Sequence, residues 1–193
     1  MPSDHAPQSL DVASFAAAAG HLQGCCGLSS YPRLMQDCLL TGENAGQHVQ
    51  VRWQARGLRL PLPGAGTLPA LRLQVQADLP LSCRLCLDGV LTPVTLDRCF
   101  AFAASEEAAA HLDEQAEDVD VLALTPQFDL HALIEDELLM ALPLAPRHEE
   151  GACPARVPMS AQSEGFEAAA RRPNPFAALS AIGKGGLTND KKA

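Results

Sequence analysis

The chain has 193 residues, 47% of them hydrophobic but only 4% aromatic, and a formal net charge of −9. That suits one domain with tails, or two small ones, with Leu, Val and Ala rather than aromatics supplying the core. No stretch approaches the roughly eighteen continuous apolar residues of a membrane-spanning helix. Residues 1–10 hold Asp4 and no Lys or Arg, so neither a membrane partner nor a signal peptide is expected and the protein reads as cytosolic.

Charge is unevenly placed. Glu106 to Asp120 holds seven acids and no Lys or Arg, His48 to Arg98 holds six arginines against three aspartates, and all three lysines (Lys184, Lys191, Lys192) fall in the last ten residues. A basic sheet and a basic tail in an acidic chain leave contact with nucleic acid open.

In chain order, Ser9 to Ala19 predicts a first helix capped by Ser9, with Leu10, Ala13 and Ala17 on one face. Gly24, Gly27, Ser29, Ser30 and Pro32 read as breakers, followed by a short helix or turn over 32–39. Val49, Val51, Trp53 and Ala55 alternate with Gln50, Arg52, Gln54 and Arg56, which predicts a strand with one dry face. Pro61 to Gly66 reads as a turn. Leu71, Leu73, Val75 and Ala77 then alternate with Arg72, Gln74, Gln76 and Asp78, completing an antiparallel hairpin with an Arg/Gln-rich outer face. A tight segment at 82–89 leads to a third strand over 90–102, with Pro93 near its start. The acidic stretch 105–118 predicts a short surface helix or loop, and 119–124 another strand. Thr125 to Leu142 predicts the main helix, capped by Asp129 and stopped by Pro143.

The fold class expected is therefore α+β: an antiparallel sheet, open or curled toward a barrel, with a long helix packed on it. Residues 1–150 form the domain. Residues 151–193 form a basic tail, disordered on composition because apolar periodicity is lost there.

Seven cysteines is an odd number without framework spacing, which in the cytosol favours thiols or metal over disulfides. Cys83-Arg84-Leu85-Cys86 places two thiols two residues apart on a turn between strands, either the arrangement of a zinc knuckle or ordinary turn residues left from a lost site, and no cofactor other than such a zinc is expected. A closed site needs two more ligands, for which His148 and Cys153 are the best candidates, with Cys99 behind them. A thioredoxin-like redox role competes, but it needs a helix after the first Cys, and Gly89 with β-branched residues follows instead. Cys25, Cys26, Cys38 and Cys99 otherwise read as structural thiols.

On the main helix, Leu130, Leu133, Ile134, Leu138 and Ala141 form an apolar stripe that Glu137 shares. Glu135, Asp136 and Glu137 span about 200° of helix, so only Glu137 is expected on the core side. There it serves as a structural acid paired with a sheet arginine such as Arg98. No nucleophile, phosphate loop or His/Asp constellation accompanies these acids, so no catalytic residue is assigned.

The ordered set Cys83-Arg84-Leu85-Cys86, Cys99-Phe100, Glu135-Asp136-Glu137, Ala141-Leu142-Pro143-Leu144-Ala145-Pro146-Arg147-His148, Cys153 and Arg172-Pro173-Asn174-Pro175-Phe176-Ala177-Ala178-Leu179 resembles the YceD family of large ribosomal RNA subunit accumulation proteins. The resemblance runs from about Leu10 to Leu179 and is closest after Leu79. It implies a cytosolic, non-enzymatic factor needed for normal production, processing or stability of 23S ribosomal RNA. Within that implied role, the leading expectation is an adaptor for that RNA or for a large-subunit ribosomal protein. Arg52, Arg56 and Arg72 are the candidate contacts on the sheet. Arg172, Asn174, Pro175, Phe176 and Leu179 form a linear motif in the tail, pre-extended by its prolines and anchored by apolar side chains. Direct RNA binding by the domain alone is a second class, but it calls for exposed aromatics among basic residues, and Trp53 falls on the dry face. A zinc- or thiol-based protein built on the CxxC is the third.

Overall fold

The computed structural model describes residues 6–40, 49–114, 116 and 119–153. The chain divides into two units, Met1–Ala155 and Arg156–Ala193, and every element described belongs to the first. Helix α1 (Val12–Ala17) leads to β1 (His21–Gly27), a 3-10 turn (Leu28–Ser30) and α2 (Pro32–Asp37). Strands β2 (Gln50–Leu62), β3 (Gly66–Ser82) and β4 (Gly89–Ala103) follow, then α3 (Glu106–Asp113), β5 (Asp120–Ala123) and α4 (Leu130–Ala141). The fold is α+β, as the sequence predicts. The sheet is open rather than barrel-like: its strands lie in chain order, antiparallel from β1 to β4, with β5 added parallel to β4 at the far edge. Among the described residues no helix is long and apolar enough to cross a membrane.

The alternation in β2 and β3 sets this arrangement. Val51, Trp53 and Ala55 lie opposite Ala77, Val75 and Leu73, so one face of the hairpin is wholly apolar and buried. Phe100 and Phe102 of β4 extend that face, which Val12, Leu34, Leu130, Ile134 and Leu138 of α1, α2 and α4 cover to form the main core. A second, smaller core lies on the opposite face, where Ala70, Ala101 and Ala103 meet Ala109 of α3 and Val121 of β5. Alanines at these sheet positions leave room for α3 close to the backbone. Pro93 lies in β4 ahead of Phe100, where β4 has no neighbour but β3, so its missing N–H faces an open edge.

Several expectations need correction. The first helix is shorter than 9–19 and is capped by Asp11, whose carboxylate accepts from the Ser14 N–H at 3.0 Å. Leu10 instead bridges to Phe128 ahead of α4, and this pairing delays α4 to Leu130, after its Asp129 cap. The segment around Gly24 and Gly27 is strand β1: Gly24 sits opposite Trp53, where a residue without a side chain leaves space beside the indole. The β2–β3 turn is only Pro63-Gly64-Ala65, with Gly64 at φ 78. Glu135 is buried as well as Glu137, at 5% and 6% exposure, because α2 docks on the side of α4 that the apolar stripe leaves unmarked. The tail motif Arg172, Asn174, Pro175, Phe176 and Leu179, and the expectation that the tail is disordered, lie outside the described residues.

Candidate metal centre and polar sheet face

Cys83 and Cys86 lie on the turn between β3 and β4, held by Cys83 N–H to Asp88 C=O and Leu87 N–H to Cys83 C=O, both 2.9 Å. Leu87, at φ 66, takes the left-handed conformation that side chains resist, which lets the chain reverse so soon after Cys86. Beyond α4 the helix stops at Leu142, ahead of Pro143, and the chain runs back to this turn. There the Arg84 N–H donates to the Pro146 carbonyl at 2.9 Å. His148 and Cys153 thereby reach the CxxC.

The ligand atoms of Cys83, Cys86, His148 and Cys153 all lie within 4.8 Å of one another. Cys83 Sγ is 3.9 Å from Cys153 Sγ, and His148 Nδ1 is 3.5 Å from Cys86 Sγ and 3.7 Å from Cys153 Sγ. His148 Nε2 meets the Gly89 carbonyl at 3.1 Å, so Nε2 carries the proton and the Nδ1 lone pair faces the thiols. Cys83 is buried and the other three are half-buried. Backbone N–H groups, from Cys86 first and then Leu85 and His148, pull the Cys83 thiol down to about 5, although burial opposes them. Burial and the neighbouring sulfurs push Cys153 up to about 11. Cys83 is therefore readier than a free thiol to lose its proton, and Cys153 holds its proton more tightly. Cys99 is not part of the cluster: it lies on β4 opposite Arg72.

Arg52, Arg56 and Arg72 all project from the exposed face of the sheet, in rows with Gln54, Gln74 and Gln76. Arg56 and Arg72 are direct cross-strand neighbours. Arg72 is already engaged by Asp97, with Nε and Nη2 donating at 2.7 and 2.8 Å, while Gln74 donates to the same carboxylate at 2.8 Å. These bonds hold the Asp97 carboxyl down to about 2. Arg52 and Arg56 make no ion pair among the described residues. All the aromatics of the sheet (Trp53, Phe100, Phe102) are buried on the other face.

The acids of α4 divide their work. Glu135 accepts from the Arg33 N–H at 2.7 Å, the Leu34 N–H at 3.2 Å and Arg33 Nε at 2.9 Å, which caps α2 and ties it to α4. Glu137 approaches Arg98 at 3.8 Å, while the short contact of Arg98, 2.5 Å, goes to Asp120. The role of Glu135 was not visible in the stripe pattern, because its partner lies about a hundred residues away.

These features define an α+β sheet protein with a thiol–imidazole cluster at one end of its sheet and a polar, basic-flecked outer face. The family model for "Large ribosomal RNA subunit accumulation protein YceD" matches residues 71–183, more than half of the chain, and the chain belongs to that family. A Haemophilus influenzae protein with the same description is 32% identical over 116 residues, covering 58% of this chain and 64% of that protein. The chain thus spans a little under two thirds of that relative's length. No solved structure matches.

Proposed function

We propose that the protein supports accumulation of large-subunit ribosomal RNA as a non-enzymatic biogenesis factor, acting as an adaptor toward that RNA or a large-subunit ribosomal protein. The family match over residues 71–183 carries this reading, since it takes in most of β3, all of β4, β5, α3 and α4, and the thiol–imidazole cluster. The protein works in the compartment where ribosomes are assembled, with neither a membrane nor a small molecule as partner.

The polar sheet face favours a protein partner over RNA alone. With Arg72 neutralised by Asp97, the face offers two uncompensated cations, Arg52 and Arg56. Two phosphate contacts give a salt slope of only about −1.4 on single strands, weak beside the roughly 6–10 contacts of a strong nucleic-acid binder. Base stacking has no exposed aromatic on this face to use. A row of Gln and Arg with fixed cross-strand spacing suits hydrogen bonding to a folded protein surface. The tail motif 172–179 is a second docking element in the same reading.

The test is a deletion strain complemented with tagged protein, in which the ratio of 23S to 16S ribosomal RNA is measured and captured partners are identified with and without RNase. The wild type is expected to restore the ratio and to retain a large-subunit protein after RNase. Arg52→Glu with Arg56→Glu is expected to do neither while melting normally. Capture that vanishes with RNase would replace the adaptor by direct RNA contact, and an unchanged ratio in the deletion strain would refute the biogenesis role.

A further inference from the structure

We propose that Cys83, Cys86, His148 and Cys153 form a closed, structural zinc site that clamps residues 146–153 onto the β3–β4 turn. The spacing fits a single tetrahedral ion. With about 2.3 Å from zinc to sulfur and about 2.0 Å to nitrogen, tetrahedral corners stand about 3.8 Å apart for two sulfurs and about 3.5 Å for sulfur and nitrogen. Cys83 and Cys153 stand 3.9 Å apart, His148 Nδ1 is 3.5 and 3.7 Å from Cys86 and Cys153, and no pair of ligand atoms exceeds 4.8 Å, a spread that a bound ion would draw in. A disulfide would need its sulfurs about 2 Å apart. An iron–sulfur cluster, holding several iron and sulfide atoms, would need its ligands spread wider than 4.8 Å. Three thiols and an imidazole are soft and borderline donors, which turns magnesium and calcium away and suits zinc.

The surroundings match a metal ligand's needs as well. The Gly89 carbonyl accepts the His148 Nε2 proton, which fixes the ring and leaves Nδ1 as donor. The Leu85 N–H points at Cys83 Sγ at 3.4 Å, the contact that steadies a thiolate. All four positions are filled by side chains, so no site is left for water or substrate, and the ion is structural rather than catalytic. Binding converts the thiols to thiolates and releases their protons to solvent, leaving a centre of net charge about −1, with Arg84 and Arg147 beside its ligands in sequence.

The clamp also answers what holds the segment after α4. None of residues 141–153 is buried, and Leu144 is 95% exposed. The hydrophobic effect therefore does little there, and the Arg84–Pro146 and His148–Gly89 hydrogen bonds, both at a half-open surface, tie it only at two points. Coordination by His148 and Cys153 supplies the rest. Cys83 and Cys86 lie past Leu81, the last residue of β3 in the main core, and that core is built without them, so losing the ion frees the segment without unfolding the domain.

The experiment uses the full chain, purified under reducing conditions without chelator, with native mass spectrometry and metal analysis. About one zinc per chain is expected, and cobalt substitution should give thiolate charge-transfer bands and the intense visible bands of a tetrahedral ion. Cys153→Ser and His148→Gln should each weaken zinc binding by about 100-fold or more while the sheet keeps its circular dichroism. Hydrogen exchange after zinc removal should speed up at 146–153 and stay unchanged in β2 and β3. A protein that binds no zinc on reconstitution, zinc retained equally by both variants, slow exchange at 146–153 in the zinc-free protein, or a Cys83–Cys153 disulfide in protein kept from oxidants would each overturn the assignment. None of these readouts depends on ribosomal RNA levels.

Discussion

Glu135→Ala should break the lock between α4 and α2. In the intact protein this carboxylate serves the Arg33 and Leu34 N–H groups at the first turn of α2, and Tyr31, at the cap position, offers no side-chain bond in its place. The Arg33 side chain is 51% exposed, so water screens the ion pair and the cost falls mainly on the two backbone donors. A buried donor left unmet costs about 1–3 kcal/mol, and solvent reaches the one at Arg33 more easily, which gives a total of about 3 kcal/mol. In a unit of this size that is a fall in Tm of roughly 6–12 °C. Glu135→Gln, which keeps an acceptor in place, should lose about half as much. Burial pushes the Glu135 carboxyl upward, but the N–H donors of Leu34 and Arg33 and the guanidinium outweigh it, so the folded value lies below the ordinary 4.5. Its charge therefore stabilises the fold above that ordinary value, and the gain is lost as pH falls through the lowered one. Wild type and Glu135→Gln should thus converge in acid. Urea unfolding at several pH values measures both effects. A loss below about 1 kcal/mol for Glu135→Ala, or a gap to Glu135→Gln that does not narrow in acid, would refute the reasoning.

Glu137 should behave in the opposite sense. Burial raises its carboxyl above the ordinary 4.5 and Arg98 at 3.8 Å only partly offsets this, so its contribution declines as pH rises from 4.5 through the raised value. Glu137→Leu should leave Tm unchanged or raise it at neutral pH, and a fall of more than about 5 °C by calorimetry would contradict that. At Gly57, a Cβ would lie 2.5 Å from the Phe15 carbonyl oxygen and 2.8 Å from its carbon, both backbone atoms of α1. Gly57→Ala must therefore push α1 off the sheet, at about 1–3 kcal/mol, and an unchanged urea midpoint would rule out that close packing.

What the sequence revealed follows from where its signals are local. The β2–β3 hairpin was legible because each strand alternates strictly and a Pro-Gly turn joins them. The β1 strand was hidden because Gly24 and Gly27, ordinary signs of a break, are here strand residues, one of them opposite Trp53. The start of α4 was misplaced because Leu10 and Phe128 pair across more than a hundred residues, which no local window contains. Glu135 was missed for the same reason: helical periodicity marks the apolar side and says nothing about a second helix docking elsewhere. The four candidate ligands came from thiol spacing and residue chemistry alone. Their proximity depends on Pro143 stopping α4 and turning the chain back.

The register of β2 against β3 bears on how this protein can be cut. The family match begins at Leu71, inside β3, and leaves β2 outside. Yet Val51, Trp53 and Ala55 of β2 are the cross-strand neighbours of Ala77, Val75 and Leu73. A fragment starting at residue 71 would lose that wall of the core and bare one long edge of β3, with its backbone donors and acceptors unmet beside exposed Leu and Val. Such an edge recruits other strands, so the matched segment made alone would aggregate. The boundary at which relatives resemble one another is not a boundary at which this chain can fold.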